Sequence, residues 1–185
     1  MKTFVRISLL GLGIILGLCI VAAMKPDSFR VERSIVIDAP PESVFPLLND
    51  LREYTRWSPY EGRDPAMQRS FSAVTTGKGA SYAWNGNKHV GSGRMQITDS
   101  RPGQQVLIQL DFESPMEAHN SVVFSLVPTG SGSTVSWAME GPMPFISRLF
   151  SIFMDFDTMV GTDFATGLAK LKTLAETPQH AAPLQ

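Results

Sequence analysis

Between Met67 and Glu140, turn-forming residues recur every eight to twelve positions: Gly77, Asn85-Gly86-Asn87, Arg101-Pro102-Gly103, Ser114-Pro115 and the run from Pro128 to Gly132. Links this short join antiparallel neighbours, and the segments between them alternate apolar and polar residues as half-solvated strands do. Val106, Ile108, Leu110 and Phe112 share one face; so do Val122, Phe124 and Leu126, and then Val135, Trp137 and Met139. The chain is therefore expected to build an antiparallel meander with one oily face. No sequence repeat accompanies the repeated form, which argues against a propeller or solenoid.

The segment that follows supplies a cover for that face. From Pro144 to about Glu176 there is no internal proline, and Leu149, Phe153, Phe156, Val160, Phe164, Gly167 and Leu171 recur near the helical period. At 100° per residue they form one stripe, so the spacing predicts a single long helix laid across the sheet. Asp157 and Asp163 flank the stripe, and Gly167 within it allows a neighbour to come close. Residues 178–185 read as a tail.

Ahead of the meander, Phe29–Ile37 reads as a strand with Val31, Arg33, Ile35 and Ile37 on one face. The stretch from Asp38 to Leu51 opens a helix, with Asp38 as a candidate cap and prolines 40 and 41 in its first turn. Pro46 shortens or kinks it. A further short helix ends near Trp57, because Pro59 biases Ser58 toward extended backbone. Trp57 and Tyr60 bracket that break, where aromatic side chains either close a core or rim a pocket.

The first 24 residues are of another kind. Eighteen residues from Ile7 to Met24 carry neither charge nor proline, about 27 Å of helix at 1.5 Å per residue, just enough to span a bilayer. The residues admit two fates, a retained anchor or a signal peptide cut before Met24; the retained anchor is the reading adopted. Lys2 and Arg6 precede the segment, while Lys25, Arg30 and Arg33 follow it, so the positive-inside balance is close and only leans toward a domain outside the cytoplasm. The expected organisation is an anchor over residues 1–25, one domain over 26–177 and the tail.

Sixteen basic and seventeen acidic side chains are dispersed along the 185 residues, which argues against nucleic acid as a partner. Cys19 is the only cysteine, excluding an internal disulfide and a cysteine-rich metal site. His89, His119 and His180 lack metal-ligand spacing, and the nucleophile-elbow, phosphate-loop and HExxH patterns are missing. No metal or other cofactor is expected. The candidates for a general acid or base are His89, Asp157 and Asp163.

One strand, two short helices, six strands and a long helix form an order that resembles the helix-grip fold of the START-like, or SRPBCC, superfamily. The resemblance is to its bacterial polyketide cyclase/dehydrase and lipid-transport group. It is carried by "FRVERSIVIDAPPESVFPLLNDL", by "WSPYEGRDP" with "GKGASYAWNGNKHVGSGRMQI", and by "MVGTDFATGLAKLK". An apolar segment directly before "KPDSFRVERS" fits a membrane-anchored subgroup. The resemblance implies an α+β domain whose curved antiparallel sheet wraps a long C-terminal helix, preceded by one transmembrane helix. It also implies a hydrophobic cavity between sheet and helix, with the short helices at its mouth. The ligand-binding candidates are then Trp57 and Tyr60 at the mouth, with Tyr82, Trp84, Met95, Trp137, Met139, Phe156, Val160 and Phe164 inside. The expected partner is an apolar or amphipathic small molecule or a lipid, held by a membrane-tethered binding protein. The alternative is a cyclase or dehydratase acting on an apolar substrate.

Overall fold

The computed structural model describes the backbone of residues 2–177 and the side chains of residues 10–177. The expected tail, 178–185, lies outside the described residues. Lys2–Met24 form helix α1, and from Leu10 onward most of its apolar side chains stand free: Leu12, Ile14, Ile15 and Leu16 are all more than half exposed. Among the described residues no helix is long and apolar enough to cross a membrane. The expected span, Ile7–Met24, begins before the first described side chain.

Strand β1 (Ser28–Ile37) is followed by two short helices, α2 (Pro41–Asn49) and α3 (Leu51–Trp57). Then come β2 (Gln68–Phe71), β3 (Ser81–Asn85), β4 (Ser92–Arg101), β5 (Gln105–Ser114), β6 (Ala118–Thr129) and β7 (Gly132–Pro142). The seven strands form one sheet in the order β1-β7-β6-β5-β4-β3-β2, with every neighbouring pair antiparallel. After β1 the chain crosses through α2 and α3 to the far edge, and the meander brings it back beside its start. Register shifts between Ile97 and Asp99 and beside Gly93 add the local bend that a bulge gives a strand.

Burial follows the alternation read from the sequence. Val106, Ile108 and Leu110 of β5, Val122, Phe124 and Leu126 of β6, and Val135, Trp137 and Met139 of β7 all point inward. The helices start and stop for local reasons. Pro41 occupies the first turn of α2, where a missing N–H costs nothing. The residue at its N-cap is Pro40, so Asp38 is not the cap that was expected; its backbone N–H donates instead to Glu176 Oε1 at 2.7 Å. Asp50 ends α2 and begins α3, accepting from the Arg52 N–H at 2.8 Å.

The expected single C-terminal helix is two helices, α4 (Phe145–Phe150) and α5 (Phe156–Ala175). Asp155 starts the second: its carboxylate accepts from the Thr158 N–H at 3.0 Å and from the Thr158 hydroxyl at 2.6 Å, a cap that fixes a new helix axis. The stripe holds from Phe156 onward, with Val160, Phe164, Gly167 and Leu171 buried. Upstream it fails, since Phe153 is 71% exposed rather than packed on the sheet.

Sheet and α5 meet ring to ring. Trp137 stacks on Phe164 with centroids 4.1 Å apart, and Trp57 stands edge-on to both Trp137 and Phe124. A Cβ on Gly167 would lie 2.8 Å from the Trp137 ring and 3.0 Å from Pro59, so the absence of a side chain there sets how closely the helix lies on the sheet. Trp57 is fully buried, and its indole N–H donates to the Leu47 carbonyl at 2.9 Å. This corrects its expected place at a cavity mouth: an aromatic residue beside a Ser-Pro break serves equally as a plug, and here the helix end turns inward.

Candidate functional site

The space between sheet and α5, where a cavity was expected, is filled by side chains. Trp57, Trp137, Met139, Val160 and Phe164 are buried against one another, and Met95 and Tyr82 are buried further along the same face. Tyr60, Trp84 and Phe156 are partly buried and pack onto this core. Burying one such side chain stabilises the fold by roughly 1.5–3 kcal/mol, so an interior of this kind first contributes stability.

An open groove of about 610 Å³ lies elsewhere, where the end of α1, the start of β1, the end of β7 and the α4–α5 connection converge. Its apolar lining includes Phe29, Val31, Met143, Ile152, Phe153 and Phe156, with Pro26 and Met154. Phe29 and Phe156 meet edge to face at 4.9 Å, joining β1 to the first turn of α5. Of the ligand-binding residues expected from the sequence, only Phe156 reaches this groove. The groove's other apolar residues were not expected: Phe29 and Val31 lie on β1, away from the expected cavity, and Ile152 and Phe153 fall within the segment from Pro144 onward that reads as one unbroken helix lying on the sheet.

Polar groups edge the groove and fix its geometry. Lys25, the residue after α1, donates from Nζ to the Ser151 carbonyl at 2.7 Å and to the Ser151 hydroxyl at 2.9 Å. Arg148 Nη1 donates back to the Lys25 carbonyl at 3.2 Å. Arg33, on the inward face of β1, bridges to Asp157 of α5, from Nη2 to Oδ2 at 2.8 Å and to the Asp157 carbonyl at 3.0 Å. The hydrogen bond to Asp157 raises the guanidinium pKa above its usual value.

The three acid–base candidates do not converge. His89 is exposed in the β3–β4 turn, its backbone N–H donating to Asn87 Oδ1 at 2.8 Å. Asp157 is held by Arg33 at the groove, and Asp163, six residues further along α5, is paired with Arg63. A second polar cluster, absent from the sequence reading, surrounds the turn at Glu61–Arg63. Tyr82 donates its hydroxyl to Glu61 Oε1 at 2.6 Å, and Arg69 Nε reaches Glu61 Oε2 at 2.6 Å. Burial pushes the Tyr54 phenol up to about 12; it also raises the Tyr60 phenol, and the Tyr82 phenol together with the bond to Glu61. Three phenols kept protonated near neutral pH are hydrogen-bond donors, not bases. Among the described residues, no three His, Cys, Asp or Glu side chains are grouped to hold a metal.

Residues 28–176 match the family described as polyketide cyclase / dehydrase and lipid transport. The chain belongs to this family. The match begins with β1 and ends just after α5, so it takes in the whole sheet and the helix that covers it. A search of curated proteins found no match. Solved structures with the same fold include the Aha1 dimer from Colwellia psychrerythraea, at 18% identity and a TM-score of 0.58, covering 80% of this chain and 97% of that one. Protein CV1439 from Chromobacterium violaceum is similar at 17% identity and a TM-score of 0.56, covering 82% of this chain and 99% of that one. Protein MLL2253 from Mesorhizobium loti is similar at 16% identity and a TM-score of 0.57, covering 79% and 96%. At these identities the likeness is one of fold. Together with the family match, it shows the SRPBCC helix-grip architecture.

Proposed function

We propose that this protein is a membrane-tethered binding module that holds an apolar or amphipathic small molecule or lipid in the groove between β1, β7 and the α4–α5 connection. The observation that carries this reading is the groove itself: an open space of about 610 Å³, within the size range of small-molecule sites, in which Phe29, Val31, Met143, Ile152 and Phe156 supply apolar wall among polar residues that include Lys25, Arg30, Asp155 and Asp157. Recognition is then by shape and apolar area. The acid–base candidates lie apart and the two aspartates are engaged by arginines, which favours binding over a cyclase or dehydratase role.

Helix α1 supplies the tether. Its described part carries apolar side chains exposed around most of its circumference, a pattern suited to lipid and not to water. With the charge-free run from Ile7 to Met24 it accounts for a single span, followed by the folded domain from residue 26 to 177.

Native mass spectrometry of the full chain, purified gently in lipid nanodiscs, tests the binding role. The expected result is a stoichiometric apolar molecule retained by the parent and lost from Ile152→Trp, whose larger side chain fills the groove. An apolar adduct equally abundant in both proteins, or in neither, contradicts the assignment.

A further inference from the structure

Among the described residues, the densest run of exposed apolar side chains on the folded domain is one short segment, while Val36, Val74, Met116 and Val127 are scattered. Phe145, Ile146, Phe150, Phe153 and Met154 fall within ten residues of chain and are between 42% and 71% exposed. From Gly141 to Met154 the only charge is Arg148, and its guanidinium lies over the Phe145 ring at 5.7 Å. A cluster of this kind on a soluble surface marks a contact with something apolar.

Its position says what that contact is. Met24, the last residue of α1, is 82% exposed, and Ile20 and Val21 beside it are also open. The next residue, Lys25, is bonded through Nζ to Ser151, between Phe150 and Phe153, and Arg148 bonds back to the Lys25 carbonyl. The domain's exposed aromatic residues are thus fixed to the exit point of the apolar helix. A bilayer that contained α1 would have its surface at Met24 and Lys25, level with Phe150 and Phe153.

We propose that Phe145–Met154 is a membrane-surface element that lies in the interfacial layer beside α1, so that the groove opens onto lipid and takes an acyl chain from the bilayer. This rests on the tethered reading above and adds the surface that meets the membrane and the source of the ligand. Aromatic and aliphatic side chains enter the headgroup boundary, while Lys25 and Arg148 keep their charges at its polar edge. Phe153 belongs to both structures, being exposed and also part of the groove wall, and therefore marks the mouth.

The test uses the full chain with Cys19→Ala, carrying a single cysteine at Phe153, at Phe150 or at Val127, each labelled with an environment-sensitive fluorophore. Val127 is exposed and pairs with Thr134, eight residues along β7 from Pro142, roughly 27 Å away at 3.4 Å per residue. The proteins are reconstituted in phosphatidylcholine–phosphatidylglycerol vesicles and first floated on a density gradient. The expected result is flotation, with labels at Phe153 and Phe150 shifted to the blue, quenched by headgroup nitroxide lipid and shielded from aqueous iodide, and the Val127 label the reverse. Flotation with either Phe position as open to iodide as Val127 overturns the docking and leaves the tether standing. Shielding from iodide without nitroxide quenching shows that protein covers the face, as a second copy would, and also overturns it. A chain that does not float removes the tether and this inference together.

Discussion

Trp137 of β7 and Phe164 of α5 lie nearly parallel, 9° apart in plane and 4.1 Å apart at their centroids. This stack is where the sheet's inward face meets the helix that covers it, and both side chains are almost wholly buried. Phe164→Ala should cost about 3–5 kcal/mol in denaturant unfolding, the transfer and cavity terms together. A loss below about 1 kcal/mol would mean that the ring carries little of the packing.

Trp57→Phe separates the polar from the apolar part of a plug. The substitution keeps a ring against Trp137 and Phe124 but removes the donor to the Leu47 carbonyl near the end of α2. Leaving that acceptor unmatched should destabilise by roughly 1–3 kcal/mol, with retention of any ligand unchanged because Trp57 does not line the groove. Thermal unfolding and native mass spectrometry on the same sample check both halves.

Two glycines of α5 should respond oppositely to alanine. At Gly167 the added Cβ meets the Trp137 ring and Pro59, and an overpacking cost of about 1–3 kcal/mol outweighs the roughly 1 kcal/mol gained in helix propensity. At Gly161 the added Cβ meets the Arg33 guanidinium, the end of a flexible side chain that can swing away. Its partly exposed ion pair with Asp157 contributes little to stability. Gly161→Ala should be neutral or mildly stabilising, and Gly167→Ala should lower the melting temperature.

The alternation of β5, β6 and β7 and the α5 stripe were legible because burial on one face forces a period of two in strands and near 3.6 in helices. The break between α4 and α5 was not. No glycine or proline marks it, and the signal that does, Asp155 three residues before Thr158, is an ordinary polar pair until its capping geometry is seen. Losing that break also lost the groove, whose wall includes Ile152 and Phe153. Trp57 was misplaced for a related reason: sequence shows that a helix ends at Ser58-Pro59 but not which way its last side chain points.

His119 and Asp111 form a surface pair, Nδ1 to Oδ1 at 2.8 Å. The bond raises the His119 pKa above its ordinary value and lowers that of Asp111. For the histidine, the favourable contribution is complete below its unfolded pKa of about 6.5 and is lost as pH rises through the raised folded value. For the aspartate, it is present above the unfolded pKa and lost as pH falls through the depressed one. The pair is therefore intact between the two folded values, which span mildly acidic pH. In an NMR titration the His119 midpoint should lie above 6.5, and Asp111→Asn should move it down.

The ligand site proposed above is the groove and not the space between sheet and helix. Photocrosslinking in native membranes tests it most directly, using the full chain, a diazirine fatty acid and excess unlabelled fatty acid as competitor. A ligand held in the groove gives competable adducts on Phe29, Val31, Met143 and Ile152, which line it, and these are lost in Ile152→Trp. Competable adducts on Trp137, Met139 and Phe164 would instead place the ligand inside the helix grip and contradict it, as would the absence of any competable adduct.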